Sequence, residues 1–158
     1  MRSVLVACTL FMAGTLVGGA SARPHELDNC RLITHAELVG ILKSPVQIVR
    51  GEGLTSCNFF WKGKHDIILS VGPAPWSGFQ EFLRQAKSDR NATETTLSIG
   101  GNPAYATDAG QPGGYVRTIH AYRHGNMLQL EATPVMSKAL LPSFAQLRQI
   151  TAIVLTRF

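Results

Sequence analysis

Residues 115–133, YVRTIHAYRHGNMLQLEAT, constrain the fold more than any other stretch of the chain. Two β-prone runs, 115–122 and 127–133, flank Arg123-His124-Gly125-Asn126. Gly125 and Asn126 both tolerate the positive φ that a tight turn needs, so an antiparallel hairpin is expected. Either two-residue loop puts Ile119, Ala121, Leu128 and Leu130 on one face. The other face carries Thr118, His120, Tyr122, Gln129 and Glu131, the polar side of a half-buried sheet. His120 then stands opposite Gln129 or Glu131, depending on register. Residues 57–71, CNFFWKGKHDIILSV, repeat the plan around the turn Lys62-Gly63-Lys64-His65. Their apolar residues are nearly continuous, which predicts a central strand pair covered on both faces.

Helices are expected around these hairpins. Thr34-His35-Ala36-Glu37 has the form of a capping box and opens a helix with Leu38, Ile41 and Leu42 on one face. Ser44-Pro45 ends it, and Val46–Arg50 is a short strand. Pro73 and Pro75 stiffen the connection to Trp76. Ser77 and Gln80 are placed to cap a second helix with the stripe Phe79, Phe82, Leu83 and Ala86. Residues 95–99 and 104–107 read as strands joined at Gly100-Gly101-Asn102-Pro103, and 108–114 as a glycine-rich loop. Residues 142–158 read as a last helix, with Pro142 at its first position and Phe144, Leu147, Ile150 and Val154 inward.

The sum is an α+β domain: an antiparallel sheet of about six strands with three helices packed mainly on one face. Trp61-Lys62-Gly63-Lys64…Pro73…Phe79-Gln80-x-Phe82-Leu83-Arg84-Gln85 echoes Tyr122-Arg123-His124-Gly125…Pro134…Phe144-Ala145-Gln146-Leu147-Arg148-Gln149, a pattern compatible with a duplicated βββα unit or with coincidence.

The first 22 residues stand apart. Arg2 precedes an almost uncharged apolar run over 4–17, and Gly18-Gly19-Ala20-Ser21-Ala22 offers small residues for cleavage after Ala22. The run is too short to span a bilayer, so a cleaved secretory signal is expected, leaving one domain over residues 23–158 in the periplasm or outside the cell. Leu5-Val6-Ala7-Cys8 matches a lipobox in letters, but the apolar run continues past Cys8, which reads as an ordinary residue of the signal. Cleavage would leave 14 of the 15 basic residues against 10 acidic ones, a net charge of +4. That charge is dispersed, unlike the concentrated arm or face of a nucleic-acid binder. It favours an anionic envelope surface weakly.

Two cysteines remain after cleavage, Cys30 and Cys57. An even count in an exported chain predicts one disulfide, and no further ligands sit beside either one to build a metal site. Closing a loop of about 28 residues would stabilise the fold by roughly 3.6 kcal/mol.

Three short stretches carry a family resemblance: Cys30-Arg31-Leu32-Ile33-Thr34-His35-Ala36-Glu37, Cys57-Asn58-Phe59 and Gly100-Gly101-Asn102-Pro103-Ala104. In their order and spacing the chain resembles a family of secreted bacterial proteins and lipoproteins of unknown function, best populated in actinobacteria. The resemblance spans most of residues 30–158. The second cysteine pair and the lipobox common in that family have no counterpart here. What the resemblance implies is export and a disulfide-tied α+β domain, with no activity to carry over.

No catalytic set, cofactor site or metal site is expected. His120 and His124 are four apart but lie on a hairpin rather than a helix, and no Gly-x-Ser-x-Gly elbow occurs. Gly100-Gly101 and Gly113-Gly114 precede strands, so neither is a phosphate-cradling loop. The candidates for binding are Trp76, at a helix start, with His120, Tyr122 and Glu131 on the polar sheet face; Tyr105 is placed to join their aromatic surface. The function expected is a non-enzymatic module that binds an envelope protein or anionic envelope component. The alternative is a small exported enzyme, or an enzyme inhibitor, using His120 with a carboxylate.

Overall fold

The computed structural model describes residues 27–51, 56–62, 65–87, 92–111, 113–135 and 137–158. The expected signal over 1–22 lies outside them, as do residues 63–64 of the turn expected at Lys62-Gly63-Lys64-His65.

A 3-10 turn, Asn29–Arg31, leads into helix α1 (His35–Leu42). Its capping box forms as expected: the Thr34 hydroxyl accepts from the Glu37 amide and the Glu37 carboxylate accepts from the Thr34 amide. Strands β1 (Val46–Arg50), β2 (Ser56–Trp61) and β3 (His65–Pro73) form an antiparallel meander. Helix α2 (Trp76–Ala86) carries the chain to the far edge. There β4 (Ala92–Ile99), β5 (Asn102–Gln111), β6 (Gly114–Arg123) and β7 (Asn126–Val135) meander back. The last strand pairs antiparallel with β3, closing one seven-stranded sheet in the order β1-β2-β3-β7-β6-β5-β4. Helix α3 (Phe144–Leu155) ends the fold.

The sheet therefore has seven strands, where about six were expected. Residues 108–114 differ as well: the glycines expected to make a loop lie mostly in strands, and β5 runs on to Gln111 before β6 begins at Gly114. Alternation explains it, since Asp108 faces Arg117 and Ala109 faces Val116 across an unbroken ladder. Two helix starts also differ. Pro75 sits at the N-cap of α2, with no side-chain cap from Ser77. At α3 the cap is Ser143, which exchanges hydrogen bonds with Gln146, so Pro142 lies just before the helix.

Side-chain alternation sorts the sheet into two faces. One carries Cys57, Phe59, Ile67, Leu69, Ile119, Ala121, Leu128 and Leu130, all fully buried against Leu38 of α1 and Leu147, Ile150 and Val154 of α3. The Gln146 amide donates to the Ile41 carbonyl at 3.1 Å and joins the two helices. Arg157 grips the Glu37 carboxylate through both of its terminal nitrogens and donates to the Leu32 carbonyl. That pairing, with the Thr34 hydrogen bonds, pulls the Glu37 carboxyl down to about 2. The Cys30–Cys57 disulfide, with Cα atoms 5.1 Å apart, ties the 3-10 turn to β2 on this side.

Helix α2 packs on the opposite face, through Phe79 and Phe82 against β5 and β6. Packing mainly on one face thus holds for α1 and α3 only. Trp61 and Tyr122, which the sequence echo aligns, point to opposite sides of the sheet. The helices that follow the two hairpins are on opposite faces as well, so the echo does not correspond to a repeated packing unit.

Helix α2 spans β5 and β6 but not the β1–β3 end. The buried and half-buried residues of β2 alternate strictly, and Phe60 and Ile68 are only half-buried. The first hairpin is an inner pair covered on one face, rather than on both. Its continuous apolar pattern overstated its burial.

Candidate functional site

The site is built on the β6–β7 hairpin. His124 and Gly125 form its two-residue loop with φ of 47° and 76°, the paired positive values of a type I′ turn. It is His124, not Asn126, that takes the left-handed conformation beside Gly125. This loop pairs Arg123 with Asn126, and the register then places Tyr122 opposite Met127 and His120 opposite Gln129. Glu131 stands across from Thr118. On the other flank of β6, His120 faces Tyr105 of β5.

The connection from β3 aims α2 at this hairpin. Beyond the Pro73–Asn126 pair, the Ala74 amide donates to the Gly125 carbonyl at 2.9 Å. That bond fixes the chain one residue before Pro75 and sets Trp76 over Tyr122. The Trp76 and Tyr122 rings meet edge to face with centroids 5.0 Å apart, and Phe79 lies 5.4 Å from Trp76 and 5.5 Å from Tyr122. Such pairs add about 0.5–1.5 kcal/mol each beyond the area they bury. Phe79 is fully buried, while Trp76 keeps 44 % of its surface exposed.

One helical turn further on, Phe82 covers His120 with ring centroids 4.0 Å apart and meets Tyr105 edge-on at 6.3 Å. Tyr105 is fully buried and His120 is 6 % exposed. The polar sheet face expected to present His120 to solvent is therefore roofed by α2 at this point. Sequence reading placed Phe79 and Phe82 on the buried stripe of a helix; what it missed was the face of the sheet they would cover. The signal was the aromatic content of both surfaces, Tyr105, His120 and Tyr122 beneath Phe79 and Phe82.

Burial pushes the His120 imidazolium down to about 4, against the opposing effect of a hydrogen bond with Gln129. The Nδ1 atom is enclosed and has no hydrogen-bond partner. Gln129 in turn donates to the Glu131 carboxylate at 3.1 Å. Because the folded value lies below the ordinary 6.5, an unfolded chain takes up this proton first. The contribution of the neutral ring is complete above about 6.5 and is lost as pH falls through about 4.

The four residues singled out in sequence thus divide. Trp76 and Tyr122 are in contact at a partly exposed aromatic corner, His120 lies beneath the helix, and Glu131 joins it only by way of Gln129. Cys30 and Cys57 are joined as expected. Two of the clefts among the described residues lie elsewhere. One, about 480 Å³, is lined by Pro45, Val46, Gln47 and Phe60 beside the uncovered sheet face. The other, about 270 Å³, lies between α3 and the turns at Gly100 and His124. Among the described residues, no three His, Cys, Asp or Glu side chains group as metal ligands, and no helix is long and apolar enough to cross a membrane.

Fold and site together define a class: an α+β domain on one antiparallel sheet, tied by a single disulfide, with an aromatic corner on its second face. No family model matches the chain, and no curated protein matches it. Among solved structures it is similar to the solution structure of cyanobacterial PsbP (CyanoP) from Synechocystis sp. PCC 6803, with a TM-score of 0.37 and 8 % identity, over 69 % of this chain and 75 % of that one.

Proposed function

We propose that the protein is an exported, non-enzymatic interaction module that docks an envelope protein at the Trp76–Tyr122 corner. The observation that carries this reading is Trp76: a large aromatic side chain, 44 % exposed, whose orientation is set by Tyr122, Phe79 and the Ala74–Gly125 hydrogen bond. A held aromatic loses little freedom on binding, which is what makes Trp and Tyr the usual anchors of protein interfaces. Export is supported by the leader-like residues 1–22 and by the disulfide, a bond that persists in oxidising compartments. The rival reading, a small enzyme or inhibitor using His120 and a carboxylate, has less support, because the imidazole is roofed by Phe82 and its cross-strand neighbour is an amide.

Three measurements test this. Intact mass of exported material is expected to show loss of residues 1–22; retention of them, or an added mass on Cys8, would contradict export. In capture from an envelope fraction, Trp76→Ala is expected to lose a partner that Leu140→Ala, at another exposed apolar residue, retains. Truncating an anchor of this kind weakens binding by about 2 kcal/mol or more, roughly thirtyfold. Equal capture by both variants would refute the Trp76 site. A turnover abolished by His120→Ala in a folded protein would favour the enzyme.

A further inference from the structure

We propose that His120 is an acid-operated latch on α2: while its ring is neutral the helix stays seated on β5 and β6, and protonation unseats it. The geometry leaves a proton nowhere to go. The ring is 6 % exposed, Phe82 stands over it at 4.0 Å, and its Nδ1 atom is enclosed with no acceptor in reach. Gln129 serves the imidazole from the β7 side. A proton added at Nδ1 creates both a buried charge and an unpaired N–H, and each is costly in a site closed by aromatic rings.

The surroundings do not supply a ready counter-charge. From β7 come Gln129 and Glu131, the carboxylate being held by the Gln129 amide. From β5 come Tyr105 and Thr107, and from β6 itself Thr118 and Tyr122. The charged residues of α2 facing outward above the site, Glu81 and Arg84, are exposed and bound to each other. Relief must come from moving a wall. Strand β6 is hydrogen-bonded on both sides, by β5 and β7, whereas α2 meets this face through side-chain packing of Trp76, Phe79 and Phe82. An isolated helix of 11 residues is marginal in water, so the helix is the part that yields. Its departure admits water to Nδ1 and uncovers Tyr105 and Phe79. This latch stands apart from the docking role of Trp76, and its test reads the helix rather than any partner.

Amide hydrogen exchange on the purified disulfide-bonded protein, corrected for the intrinsic effect of pH, is the experiment. Protection over 76–86 is expected to fall by roughly tenfold per pH unit below about 6.5, levelling near 4, while α3 and the β6–β7 pair stay protected. His120→Phe, a ring of similar shape that does not titrate, is expected to hold the protection of α2 flat. Loss of protection across the whole domain at once, or the same pH response in His120→Phe, would overturn the latch. Should that variant not fold, the His120 ring signal followed by NMR in the native protein decides. A midpoint near 4 that coincides with the opening of α2 supports the latch. An ordinary midpoint near 6.5, or one that does not track the helix, refutes it.

Discussion

Replacing Arg117 with methionine is expected to cost the domain about 3–5 kcal/mol, the range for breaking a buried ion pair from one side. Arg117 and Asp108 face each other across β6 and β5, 3.0 Å apart, with 13 % and 12 % of their side chains exposed. The same guanidinium donates to the Pro142 carbonyl at 2.6 Å and lies 4.6 Å from the centre of the Phe144 ring. One side chain thus neutralises a carboxylate, satisfies the carbonyl just before the cap of α3 and packs on the first residue of that helix. Methionine keeps much of the volume and none of these partners, and it leaves the Asp108 charge in a site that water reaches poorly. Denaturant midpoints at pH 7 would measure the loss. The double variant Arg117→Met/Asp108→Leu is expected to recover a good part of it, because the stranded charge is gone. A double variant as unstable as the single one would mean that the helix contacts, and not the charge, set the cost.

The second large effect is expected from Cys30→Ala/Cys57→Ala, at about 2–5 kcal/mol. The bond spans 27 residues, for which restricting the unfolded chain accounts for roughly 3.6 kcal/mol. Its position adds a local term. Cys57 is fully buried on the core face of β2, and Cys30 lies in the turn that places Asn29, whose amide reaches the Val71 carbonyl at 3.4 Å. Without the bond, the segment before α1 is attached through side-chain contacts such as that of Arg50 with Asp28. Urea unfolding of the double variant beside the native protein measures the effect. A loss below about 1 kcal/mol would refute a principal role for the bond.

The parts of the fold that were legible in the sequence are those written in local chemistry. The Thr34–Glu37 box, the stripe of Leu147, Ile150 and Val154, and the hairpin at His124-Gly125 all depend on neighbours a few residues away. Periodicity says which residues of a helix are buried, but not which side of a sheet buries them. For that reason the sequence marks Phe79 and Phe82 as inward-facing while their target, the Tyr105–His120–Tyr122 face, has the pattern of a polar, solvent-side surface. The same limit misled the reading of β2 and β3, where Phe60 and Ile68 extend the apolar run although α2 does not reach them. Glycines mislead in another way. Gly110 and Gly114 look like loop residues, yet the pairing of β5 with β6 absorbs both. The Arg117–Asp108 pair was invisible because the two charges stand nine positions apart in the hairpin, and only the register brings them together.

The placement of β7 between β3 and β6 bears on how the chain assembles. The first meander is complete at residue 73, yet the inner edge of β3 has no strand to meet until residues 126–135 exist. A chain delivered amino-terminus first therefore holds a three-stranded sheet with an open edge while more than fifty further residues arrive. Any β7 answers that edge equally well, including one from a neighbouring molecule. Two copies that traded everything after α2 would rebuild the same sheet twice over, as an intertwined pair.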